Sequence, residues 1–198
     1  MSVKTLAVAI ALAAAVVSGC TDSAGSPPQP DAERANSDAE GPVVGDGVRP
    51  LVLVSDFGLG LSAGWREGQA DVDDAMALAL ALASDELEPV AVVTAFGNTV
   101  ERPQATVALP RFLEAAGAEV PVLRGSPRPV PAVPVELNGS EPVDDACLTD
   151  GIAELAEVLR SLDDVAVAGI APLSPLACLA RIEPDALASI TDVVALMG

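Results

Sequence analysis

The sequence predicts an α/β domain built on an open, mostly parallel sheet with helices on both faces. Three observations carry that prediction. Short apolar runs alternate with longer helix-patterned segments from residue 49 onward. The runs, such as "LVLV" at 51–54 and "VAVV" at 90–93, are apolar at every position rather than every second one, as strands covered on both faces are. Each run also ends in a polar or glycine-bearing turn: "SDFG", "AFGN", "GIAPLS". In such sheets ligands bind outside the carboxyl ends of the strands, which places Asp56, Asn98 and the "GIAPLS" loop along one edge.

Taken in order, residues 1–20 read as an export signal. Lys4 supplies a basic start, "LAVAIALAAAVV" an apolar segment of signal-peptide length, and "VSGC" small residues before a cysteine. That ending resembles the bacterial lipobox, so Cys20 is expected to be lipidated and to tether the protein to the outer face of a membrane. An ordinary signal or a short transmembrane anchor is the alternative. Residues 21–48, rich in Pro, Gly, Ser and Asp and without apolar period, are expected to be a disordered linker. Residues 49–198 then form the domain. "PLVLVSDFG" is a buried strand and turn, "DVDDAMALALALAS" a helix, and "EPVAVVTAFGN" a second buried strand. "VERPQATVALPRFLEAAG" is a helix with Pro110 as a kink and Gly117 as its stop, and "VPVLRG" is a third strand. A Pro-rich loop precedes the amphipathic helix "GIAELAEVLRSL". "DVAVAGIAPLSPLACLARI" is a fourth strand running into a helix, and "DALASITDVVALMG" ends in a fifth, buried strand, "VVALM".

Composition narrows the function. The chain has 198 residues, enough for one domain with a core, and 51% of them are apolar but only 2% aromatic, so the core must be built from Ala, Val and Leu. A formal net charge of -19 argues against nucleic acid as partner, because phosphate affinity needs Lys and Arg. The absence of His excludes any mechanism that draws an imidazole base or ligand from these residues. Beyond Cys20, Cys147 and Cys178 remain, either as one disulfide in an exported compartment or as two half-buried thiols. The oligomeric state is not set by the sequence, and a homo-oligomer is compatible with it.

The unusual local feature is "QADVDDAMALALALA", where Asp71, Asp73 and Asp74 stand before an apolar helix. Acids in a first turn favour the positive end of a helix and can cap it. Three of them, with Asp56 at the end of the preceding strand, exceed what capping requires. A divalent cation would relieve the repulsion. The ligand types suit calcium or magnesium rather than zinc. Capping and cation binding both stay open at this point.

"LVLVSDFG", "DVDDAMALALALAS" and "VAVVTAFGN", in that order, resemble the N-terminal signature of the inosine-uridine preferring nucleoside hydrolases, and the likeness continues through "VPVLRGSPRPV" and "AGIAPLSPLACLARIEP" to "DVVALMG". The resemblance implies a Rossmann-like core that holds calcium (Ca2+) at the C-terminal edge of the sheet, and hydrolysis of the N-glycosidic bond of a ribonucleoside. Carried over by position, Asp56 would be calcium ligand and general base, Asp74 a bidentate calcium ligand, and Asp73 and Asn98 partners of the ribose hydroxyls. The main-chain carbonyl of Ile170 falls where the family uses a carbonyl as calcium ligand.

The chain also departs from the pattern. Val54 stands where the first Asp of the signature is expected, fourteen residues separate Gly58 from Asp73, Pro175 replaces a common Asn, and a His-Gly stretch is missing. The insertion, with Trp65, reads either as a lid or as a surface loop. Family members run on past the "LMG" strand, with a further ligand Asp, a catalytic His and the groups that hold the base. The expectation is therefore a truncated, N-terminal portion of a nucleoside hydrolase-like protein, exported and facing the cell surface or periplasm of a bacterium. The alternative is an inactive relative that binds a nucleoside, a sugar or calcium without turnover.

Overall fold

The computed structural model describes residues 47–58, 72–97, 105–130 and 145–196. The export signal with Cys20, the linker up to residue 46, residues 59–71 with Asp71, and Asn98 lie outside the described residues. Five strands are present: β1 (Arg49–Ser55), β2 (Leu87–Thr94), β3 (Val122–Leu123), β4 (Val165–Gly169) and β5 (Ile190–Ala195). They form one sheet in the order β3-β2-β1-β4-β5, and every pair is parallel. The helices are α1 (Asp73–Leu82), α2 (Ala105–Ala116), α3 (Asp150–Arg160) and α4 (Ser174–Ile182), with 3-10 turns at Asp145–Cys147 and Pro184–Ser189.

Alternation along the strands sorts the core into two layers. Leu53 and Val92 pack with Leu78 of α1 and Leu109, Phe112 and Leu113 of α2. Val52, Val54, Ala91 and Val93 pack with Ile152, Leu155 and Leu159 of α3 and Leu179 of α4. Helices thus cover both faces, which is why the central strands are apolar at every position. Val54, the replacement for an expected Asp, is fully buried in the α3 and α4 layer.

The chain runs from β1 outward to β2 and β3, then returns to place β4 on the other side of β1. The order reverses between β1 and β4, the point where open α/β sheets form a crevice beyond their carboxyl ends. At the opposite end, Arg49 ties three segments together. Its guanidinium meets Asp192 at 2.6 Å and Asp164 at 3.2 Å, and it also bonds the Thr191 hydroxyl. Asp164 takes a left-handed turn conformation (φ 54°) just before β4.

One of the detailed expectations holds and two change. Pro110 does lie inside α2, and Gly117, with φ 66°, ends that helix. β3 shrinks to two residues because Pro121 has no N–H to give, and only its carbonyl serves the sheet, accepting from Val92 N at 2.9 Å. β5 begins at Ile190 and is not buried: Val193, Val194 and Leu196 are 52%, 73% and 70% exposed. Among the described residues β5 pairs only with β4, so it lies at the sheet edge.

Cys147 and Cys178 form a disulfide, with Cα atoms 5.1 Å apart, so the paired alternative is the correct one. It pins the turn before α3 to the middle of α4 within the core. Among the described residues no helix is long and apolar enough to cross a membrane.

Candidate active site

The site grows from the end of β1. Ser55 is the last strand residue, and its carbonyl accepts from Ala95 N at 2.9 Å, which ties it to the end of β2. Its hydroxyl accepts from Phe57 N at 3.1 Å and so shapes the turn that carries Asp56. Phe57 anchors the turn from below. Its ring is buried and meets Phe112 of α2 edge-on, with centroids 5.2 Å apart.

Asp74, the second residue of α1, is 1% exposed. It does not cap its helix. The residue before the helix is Val72, whose side chain makes no capping bond. The Asp74 carboxylate instead reaches back to β1, where Oδ1 accepts the Ser55 hydroxyl at 2.5 Å. Oδ2 is buried and has no hydrogen-bond partner. Asp73, half-buried, accepts the Asp74 N–H through its Oδ1 at 3.0 Å. Burial pushes the Asp74 carboxyl up to about 8, the Ser55 hydroxyl opposes the rise, and the charges of Asp56 and Asp73 add to it.

Asp56 follows β1 directly and is partly exposed. Its carboxylate lies against Gly97, just past β2, so closely that a methyl group on Gly97 would overlap it. Ile170 follows β4, and its N–H bonds the carbonyl of Val54 at 3.1 Å. Asp56 and Asp74 thus meet Gly97 and Ser55 at the carboxyl ends of β2 and β1, and Ile170 lies at the adjoining end of β4. Pro175, at the start of α4, packs against Gly125 beyond β3. Asn98, expected beside the ribose, follows Gly97 but lies outside the described residues.

A family model, inosine-uridine preferring nucleoside hydrolase, matches residues 68–198. The chain belongs to that family. The match includes Asp73, Asp74 and Ile170 and begins after Asp56. Among solved structures, a plant nucleoside hydrolase, the PpNRh1 enzyme, is similar with a TM-score of 0.54 at 22% identity, over 76% of this chain and 48% of that one. The likeness shows the fold, and the chain spans about half the length of that relative. No curated protein matches the chain significantly.

Nucleoside hydrolases generally use a metal ion, commonly calcium. Among the described residues no three acidic, cysteine or histidine side chains converge into a ready-made cation cage. The residues present still fit a hard cation. Asp74 Oδ2 is an unpaired buried acceptor, and Asp56 and Asp73 are near enough to disfavour its charge. Every candidate donor is oxygen, the ligand type calcium takes. Capping accounts for Asp73, which accepts the Asp74 N–H, but not for Asp74, whose carboxylate is turned to Ser55 instead of the helix end.

Sequence reasoning named the three aspartates but passed over Ser55 and Gly97. The available signals were a hydroxyl at a strand end facing an acidic helix start, and a glycine in the neighbouring turn.

Proposed function

We propose that this protein hydrolyses the N-glycosidic bond of ribonucleosides, giving ribose and free base, with calcium held by Asp56, Asp74 and the main-chain carbonyl of Ile170. The observation that carries the reading is the buried Asp74 carboxylate, with one oxygen fixed by Ser55 and the other unpaired. Calcium, when bound, would orient the attacking water and the ribose hydroxyls and lower the pKa of that water.

The residues of this chain supply the rest. Asp56 accepts a proton from water as its oxygen bonds to the anomeric carbon. The bond to the base breaks, its electron pair leaves with the base, and the departing nitrogen takes up a proton from solvent water. Positive charge grows on the sugar ring, and the nearby carboxylates favour that oxocarbenium-like state. Asp73 accepts from the ribose hydroxyls, a role the family resemblance also gives to Asn98. Ser55 and Gly97 hold the two metal-facing aspartates in place.

We further propose that residues 1–20 are a lipoprotein signal, Cys20 the lipid-bearing residue and residues 21–48 a tether, so that the 49–198 domain works outside the cytoplasm. The Cys147–Cys178 disulfide supports this, since such bonds persist in oxidising compartments.

Incubation of the full chain with inosine or uridine and calcium tests the function, with reducing sugar as readout. Sugar release that is lost in Asp56→Asn supports hydrolysis. A second reading, binding without turnover, is favoured by Val54, which is buried where the family signature has its first Asp. Calorimetric binding of nucleoside with no sugar release would select it.

A further inference from the structure

We propose that Ser55 is a positioning residue for the cation site: its hydroxyl fixes Asp74 Oδ1 so that Oδ2 stays available to the cation. The inference rests on the cation-site reading given above and deepens it by naming what orients its most buried ligand.

Ser55 is completely buried, and its backbone is locked. It pairs with Thr94 in the β1–β2 register, and its carbonyl holds Ala95 N. The hydroxyl is locked as well. One lone pair receives Phe57 N–H at 3.1 Å, which directs the single proton toward Asp74 Oδ1 at 2.5 Å. A hydroxyl that donates to a carboxylate makes a charge-assisted hydrogen bond.

Geometry gives the bond a further consequence. A carboxylate on a helix can rotate about its side-chain torsion. Held at Oδ1 by a strand residue, it cannot turn Oδ2 back to the α1 amides, where helix-start acids ordinarily find partners. The result is a buried oxygen without a hydrogen-bond partner. Rigid elements on both sides, β1 and α1, make this more precise than a loop contact would be. A simpler role would be the Phe57 turn alone. That role requires an acceptor on Ser55 but no donor to Asp74.

The test compares the full chain with Ser55→Ala, Ser55→Thr and Ser55→Cys. Calcium affinity is read by calorimetry, and melting of each form in EDTA serves as control. Ser55→Ala removes the hydroxyl and Ser55→Thr keeps it. Ser55→Cys keeps the volume with a weak donor and carries the comparison if Ser55→Ala does not fold. The expected result is an affinity lower by about 10- to 100-fold in Ser55→Ala and Ser55→Cys, with Ser55→Thr close to the parent. Parent-like affinity in Ser55→Ala or Ser55→Cys overturns the inference alone. Equal loss in Ser55→Thr and Ser55→Ala assigns the effect to packing and also overturns it. A parent chain that binds no calcium removes the cation-site reading, and the inference with it.

Discussion

Asp74 is a carboxyl group buried beside two others, and its protonation follows from that. In the unfolded chain it releases its proton near its ordinary value of 3.8, but in the fold only near 8. Between those values the unfolded state binds fewer protons, so the metal-free fold loses stability as pH rises. We expect the melting temperature in EDTA to fall between about pH 5 and about pH 8, and Asp74→Asn to flatten that slope. Calcium displaces the proton, so its affinity should climb over the same interval. Gly97 acts by having no side chain. A methyl there meets the Asp56 carboxylate, so Gly97→Ala should displace Asp56 and weaken calcium by about tenfold or more in calorimetry.

At the scale of elements, β1 and α1 build half the site between them. β1 ends in Ser55 and Asp56, and α1 starts with Asp73 and Asp74. The other half-layer, α3 and α4, is stapled by Cys147–Cys178 across a separation of 31 residues. Chain-entropy reasoning assigns such a link about 3–4 kcal/mol. The Cys147→Ala, Cys178→Ala double variant should lose that much in urea unfolding and melt roughly 10 °C lower. Its effect on calcium affinity should be small, since neither cysteine is among the oxygen donors.

For the whole molecule, the parallel sheet was legible because burial on both faces writes itself as unbroken apolar runs. "LVLV" and "VAVV" became β1 and β2, and the helix-patterned segments between strands became crossovers. The aspartates were legible because their crowding is electrostatically costly. The rest was not legible, for physical reasons. Whether "VVALM" is covered depends on which neighbours reach the edge of the sheet, and Val194 proved 73% exposed. The pairing of Cys147 with Cys178 depends on how the turn before α3 meets α4, which composition does not encode. Ser55 is one hydroxyl among many until the fold brings α1 to it.

The central claim is that the unpaired Asp74 oxygen belongs to a cation site. Calorimetric titration of calcium into the full chain and into Asp74→Asn, at about pH 8 where the carboxyl can ionise, tests it most directly. A single saturable site is expected in the parent and none in Asp74→Asn. Absence of binding in the parent, or equal binding in both, would contradict it.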